Sequence, residues 1–172
     1  MKGLDAMKEI SVNGIDFNVW DKIGEEWYLI TCGDKENGFN TMAGCWGFAG
    51  SVIHKNVFVP LIRPTRYTYE FMEKNELFTI SFFDKKYHET IHQCGSCSGR
   101  DHDKIAETGL TPKFIDGTTT FEEAALVLVC KKLYGQRLDP SLIIDEELRV
   151  LHSLEPSHKM YIGEIIKAYA KE

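Results

Sequence analysis

Four residues able to grip an anion crowd into one short stretch of the chain: Arg63, Thr65, Arg66 and Thr68 fall within six positions. Two guanidiniums and two hydroxyls beside a helix start, where backbone N–H groups are unpaired, form a set that can hold a phosphate dianion. The alternative is a capped helix flanked by two solvated arginines. A second set lies upstream in Phe39–Ser51, FNTMAGCWGFAGS, where Gly44, Gly47 and Gly50 leave backbone open to close approach. Asn40 and Thr41 offer hydrogen bonds there, and Met42 and Trp46 offer flat or polarizable packing, a combination that suits a planar heteroaromatic ligand. Otherwise Met42 and Trp46 belong to the core and the glycines mark bulges. These glycines do not match GxGxxG, which disfavours a Rossmann dinucleotide site.

The third set is the loop QCGSCSGRDHDK, from Gln93 to Lys104. Cys94-x-x-Cys97 has redox or metal spacing, with His88, His92 and His102 close in sequence. A single CxxC without a second ligand pair at a recognisable spacing argues against structural zinc, so no metal is assigned. The bland reading is a turn in which Asp101 and Lys104 pair.

The elements that position these residues read as short strands with a few helices inserted. Val57–Ile62 is an apolar strand in which Pro60 implies an edge or a bulge. The elbow follows it, then a helix capped by Thr65 or Thr68, carrying Tyr67, Phe71 and Met72 and stopping at Asn75. Trp27–Cys32, a segment from Asn40, and Leu77–Phe83 are further strands. Asp84 caps a helix with Tyr87 and Ile91 that ends at Gly95, and Lys104–Thr108 gives one or two helical turns. Ala124–Lys132 is the most apolar run and is expected to be a central strand; Met160–Tyr169 is a long last strand with a bulge at Gly163. This spacing, without strict strand–helix alternation, implies an antiparallel barrel.

Composition narrows the partners. The 172 residues fit one domain, with 1–172 expected to fold as a single unit. With 26 acidic against 20 basic residues the net charge is −6, which argues against a general binder of nucleic acid or anionic membrane. No signal-peptide core and no run of eighteen apolar residues occurs, so a cytoplasmic location is expected. Five cysteines suit free thiols better than a disulfide framework.

The ordered segments NTMAGCWG, RPTRYTYEF, FTISFF, CGSCSGRDHDK, ETGLTP and HKMYIGEI resemble the flavin reductase-like, FMN-binding split-barrel family, including its flavoredoxin-like members. The resemblance covers roughly residues 25 to 168. It implies a mainly β fold with inserted helices, a six-stranded antiparallel Greek-key split β-barrel, and a homodimer holding FMN near the subunit interface. It places Asn40, Thr41, Met42, Ala43 and Trp46 along the isoalloxazine ring. It assigns Arg63, Thr65, Arg66 and Thr68 to the phosphate and ribityl chain, with Ser98, Gly99 and Arg100 completing that end. His158 is implied beside the flavin, where it meets the nicotinamide. Where similar proteins read Thr-Ala-Ser, this chain has Ala43-Gly44-Cys45, which removes two hydroxyls. The activity implied is hydride transfer from NADH or NADPH to flavin, with electrons passed to free flavin, another small molecule or a redox protein. The alternative is a non-enzymatic electron carrier reduced by a partner protein.

Overall fold

The computed structural model describes residues 7–153 and 156–171. The main sheet contains β1 (Lys8–Ile10), β2 (Tyr28–Asp34), β3 (Gly38–Gly44), β4 (Gly47–Val52), β5 (Lys55–Ile62), β6 (Leu77–Phe82), β9 (Leu126–Arg137) and β10 (Lys159–Ala170). Its neighbours run β3-β2-β6-β9-β10-β5-β4, with β1 added on β10, and the pairings are antiparallel. The path begins and ends on strands that are successive in the chain, separated only by Cys45 and Trp46. A sheet whose two ends are joined by so short a bend must roll up, so β3 and β4 act as one bent strand of a six-stranded barrel. The mainly β, split-barrel expectation is met.

Two apolar clusters explain why β2 and β9 read as continuous hydrophobic runs. Tyr28, Ile30 and Cys32 join Phe58, Phe78, Ile80, Phe82, Leu128 and Cys130 on one face. The intervening Leu29, Val127 and Val129 pack on the other face with Phe83, Ile91, Cys94 and Phe121. Alternation persists, but helix α2 (His88–Ser96) and the β7–β8 ribbon cover the outer face. The ribbon, β7 (Pro112–Ile115) with β8 (Thr118–Phe121), docks on polar contacts: Thr79 donates to the Thr119 carbonyl at 2.6 Å, and Ser81 and Thr120 hydroxyls pair at 2.9 Å.

Several expectations are met and some corrected. The bulge falls at Gly163, where the β9–β10 register shifts and an added Cβ would stand 2.5 Å from the Phe78 ring. Pro60 is neither on an edge nor in a bulge: β5 lies between β4 and β10, and its pairing with β10 keeps one register on both sides of Pro60. Neither Thr65 nor Thr68 caps helix α1 (Tyr67–Lys74); Arg66 holds the N-cap position without a side-chain cap bond, and Asn75 ends the helix as expected. Asp84 opens a 3₁₀ turn over Lys85–Tyr87 and makes no side-chain cap bond. Gly95 lies inside α2 rather than ending it, because its Cβ would press on Ala43 at 3.0 Å. The strand read from Asn40 breaks in two at Cys45–Trp46, and Trp46 is 43% exposed rather than part of the core.

Candidate functional site

Strand β3 supplies one wall of a groove, and the elbow before α1 and the loop after α2 supply the other. A narrow cavity of about 80 Å³ is lined by Asn40, Met42, Ala43, Thr65, Arg66, Thr68, Ser98 and Gly99, among others. A second, of about 170 Å³, shares Met42, Ala43 and Arg66 and extends to Cys45, Trp46, Arg63 and His158. Together they form one groove along β3, and twelve of the thirteen residues assigned from sequence split between its walls or, for Thr41 and Arg100, line a larger cavity of about 740 Å³ behind Asn40. The thirteenth position, Gly99, is the crossing point. It lines both the groove and the larger cavity, and a Cβ there would lie 2.1 Å from Asn40 Oδ1.

The alternation of β3 sorts its side chains. Asn40 is buried and donates Nδ2 to the Thr68 hydroxyl at 2.7 Å, tying the strand to α1. Thr41 turns the other way: its hydroxyl pairs with that of Thr31 at 2.9 Å and with the Ile30 carbonyl at 3.2 Å. Its main contribution is therefore its own carbonyl. Met42 and Ala43, half-buried, both contribute apolar surface to the groove while packing on opposite faces of β3, Met42 against the barrel core and Ala43 against the outer cluster. At the far end Tyr28, whose hydroxyl burial keeps protonated, donates to the Trp46 carbonyl at 2.7 Å and fixes the bend.

The elbow divides its two arginines. Arg63 reaches the Trp46 end, donating Nε–H to His158 Nε2 at 3.2 Å, while the His158 ring lies 4.8 Å from that of Trp46. Such a bond makes Nε2 the acceptor and places the imidazole proton on Nδ1. Arg66 stays at the join of the two cavities, exposed, and its guanidinium makes no hydrogen bond or ion pair among the described residues. Arg100 is engaged already: it bonds the Thr65 carbonyl at 3.2 Å, pairs with Glu70 and lies over the Tyr67 ring at 4.9 Å. It holds the loop against the elbow, and Ser98 Oγ accepts the Arg100 amide at 3.2 Å.

One residue escaped the sequence reading. Lys104 does not pair with Asp101; it is 6% exposed and donates Nζ to the Thr41 carbonyl at 3.0 Å and the Cys94 carbonyl at 2.6 Å. Burial lowers its pKa, the nearby Cys94 and Cys97 thiols oppose that shift, and Arg66 adds to it. Both cavities touch it, so a buried cation faces the site. A lysine that opens a five-residue helix behind a capping aspartate carries little signal, because its burial depends on contacts with β3 and α2. The two cysteines of the CxxC sit in different surroundings. Cys94 is fully buried, and burial pushes its thiol up to about 11, whereas Cys97 is half-buried. His92 stacks on Trp27 at 3.8 Å and the His88 ring lies tilted against His92 at 4.3 Å; neither joins a cysteine in a cluster of potential metal ligands among the described residues.

The donor set fits a ligand with an anionic tail and a flat apolar body: exposed Arg66 with the Thr65 and Ser98 hydroxyls at one end, Met42, Ala43 and Trp46 at the other. Similar folds occur among solved structures. The FMN-binding domain of a flavin reductases-like enzyme from Shewanella baltica is 16% identical, with 97% of this chain and 78% of that one covered and a TM-score of 0.68. Flavoredoxin of Desulfovibrio vulgaris is 20% identical over 95% and 77% of the two chains, with a TM-score of 0.68. The FMN-binding protein of Thermus thermophilus with bound 1-cyclohex-2-enone is 17% identical over 95% and 80%, also at 0.68. No curated protein matches the chain significantly. The family model described as the flavin reductase like domain matches residues 20–172, most of the chain, and the bent-strand barrel with its β3 groove is therefore that of a member of the flavin reductase like domain family.

Proposed function

We propose that the chain, acting as one unit, binds FMN in the β3 groove, accepts hydride from NADH or NADPH and passes electrons to free flavin or another acceptor. The observation that carries this reading is the continuity of the groove, from the exposed Arg66 guanidinium beside Thr65 and Ser98 to the Trp46–His158 end. Arg66 offers a planar fork to a phosphate, and Lys104 adds positive charge without occupying the groove. Asn40, locked by Thr68, and the backbone of β3 present fixed polar groups, while Met42 and Ala43 present apolar surface. Bound FMN supplies the hydride and electron chemistry, so the protein needs no nucleophile or paired carboxylates. At the open end, His158 held by Arg63 stands where a nicotinamide approaches; Trp46, 43% exposed, guards the same opening.

The partners follow from the same reading. Trp46 and Phe48 are 43% and 47% exposed on the bend and on edge strand β4, which favours a homodimer that covers the groove. Cytoplasmic location is consistent with the charge pattern, and no helix among the described residues is long and apolar enough to cross a membrane. The second reading, a carrier like flavoredoxin, uses the same groove. Anaerobic addition of NADH or NADPH to the purified protein separates them: the enzyme reading expects the yellow flavin absorbance to bleach within seconds. Persistence of the colour with both nicotinamides, and bleaching by a reduced redox protein, would support the carrier instead.

A further inference from the structure

A second constellation lies between α2 and α3 (Lys104–Thr108) and is used by none of the contacts above. Cys97 is the C-cap of α2, His102 precedes α3 and Glu107 sits within it. The amides of Asp101 and His102 both donate to the Ser98 carbonyl, at 3.1 and 3.0 Å, which folds the loop back on itself. Asp103 then caps α3 through the Ala106 amide at 3.1 Å, and its carbonyl accepts the Glu107 amide at 2.9 Å. The result brings a thiol sulfur, an imidazole nitrogen and a carboxylate oxygen within 4.8 Å of one another.

We infer that Cys97, His102 and Glu107 form a binding site for a divalent transition-metal ion of the zinc class, with a fourth position open to water. Zinc bonds of about 2.0 to 2.3 Å set tetrahedral ligand atoms about 3.4 to 3.6 Å apart, so the trio closes by small rotamer changes. His102 Nδ1 lies 2.9 Å from Glu107 Oε1 in a hydrogen bond, so this pair has to open by only about half an ångström for a metal ion to take the place of the shared proton. Cys97 gives up only a weak contact to the Gln93 carbonyl at 3.4 Å. Thiolate and imidazole select zinc-like ions over magnesium and calcium, which take oxygen ligands. His102 and Glu107 are 49% and 40% exposed at the side chain, which leaves the ion an entry path. Cys97 lines the groove and His102 the larger cavity, so a bound ion pins the loop that carries Ser98 and Gly99.

The test of this site measures metal rather than turnover, so it can fail while the flavin reading stands. The full chain, with its flavin content unchanged, is stripped of metal by dialysis against a chelator and titrated calorimetrically with zinc, then spectrophotometrically with cobalt(II). One zinc ion per chain, a thiolate-to-cobalt charge-transfer band and no heat with magnesium are expected. Cys97→Ser is expected to abolish the band, and His102→Ala to weaken zinc binding at least about tenfold, the loss typical even of residues that only orient a ligand. Cys45→Ser, which removes the thiol at the other end of the groove, is expected to leave both readouts intact. Absence of stoichiometric zinc binding, a cobalt band that survives in Cys97→Ser, or an unchanged zinc affinity in His102→Ala would overturn the assignment.

Discussion

Arg66 and Gly99 are the two residues on which the proposed cofactor site depends most. The Arg66 guanidinium has no hydrogen-bond or ion-pair partner among the described residues, so its charge is available to a ligand phosphate, whereas Arg100 is committed to Glu70, Thr65 and Tyr67. Arg66→Ala is expected to weaken FMN about tenfold to a hundredfold, the loss of one charge-assisted hydrogen bond of roughly 1.5 to 3 kcal/mol. Riboflavin, which lacks the phosphate, is expected to bind the variant as it binds the parent; equal losses for both ligands in a fluorescence titration would move the phosphate elsewhere. Gly99 acts by what it lacks. In Gly99→Ala the new methyl would stand 2.1 Å from Asn40 Oδ1, so Asn40 must leave Thr68 and take the β3–α1 bond with it. Flavin and riboflavin binding are both expected to fall, by about 1 to 3 kcal/mol or roughly fivefold to a hundredfold, with little change in melting temperature because the clash lies at the groove surface. Unaltered binding of both ligands would show that Asn40 does not shape the pocket.

Among the elements, the bend and the two hairpins show how the groove is framed. Gly44 and Gly47 flank the Cys45–Trp46 bend because neither has room for a Cβ: at Gly44 it would stand 2.8 Å from the Tyr28 ring, and at Gly47 2.6 Å from the Val59 carbonyl and 3.0 Å from the Tyr28 hydroxyl. The β4–β5 turn places Ile53 and His54 at φ 50° and 61°, a left-handed pair that a sequence of neither glycine nor asparagine does not advertise. The β7–β8 turn is the opposite case, since Asp116-Gly117, at φ 48° and 80°, is a strong hairpin signal. Asp116 also tethers the ribbon to β10, accepting from Lys167 at 2.7 Å and Tyr169 at 2.6 Å. Burial alone would raise its carboxyl, but these bonds outweigh burial and hold it below 3.8. A carboxylate with a depressed folded pKa stabilises above its unfolded value and ceases to do so as pH falls through the folded one. Asp116→Asn is therefore expected to cost about 0.5 to 1 kcal/mol at neutral pH, after allowance for solvent screening. Denaturant unfolding should show that difference shrinking below pH 3.8; a difference independent of pH would mean the tether is not ionic.

At the scale of the molecule, the barrel was legible because β2, β6, β9 and β10 carry continuous apolar and β-branched runs, and the Gly163 bulge because a lone glycine interrupted one of them. Less legible were features set by tertiary contact. Pro60 sits in a strand flanked by β4 and β10, and Lys104 is buried because α3 packs on α2 and its Nζ reaches the Cys94 and Thr41 carbonyls. The grouping of Cys97 with His102 rather than with Cys94 likewise depends on how the loop folds back on Ser98. The wall residues Asn40, Met42, Ala43, Trp46, Thr65, Arg66, Thr68, Ser98 and His158 were recoverable because separate motifs in one order mark them, even where each alone has an ordinary structural reading. The proposed function requires the β3 groove to take a single phosphate and one flavin ring. Its most direct test is chromatography of the flavin released when the protein, as purified and without added flavin, is denatured: FMN is the expected result, and release of FAD, or failure of the protein to bind saturating FMN, would contradict it.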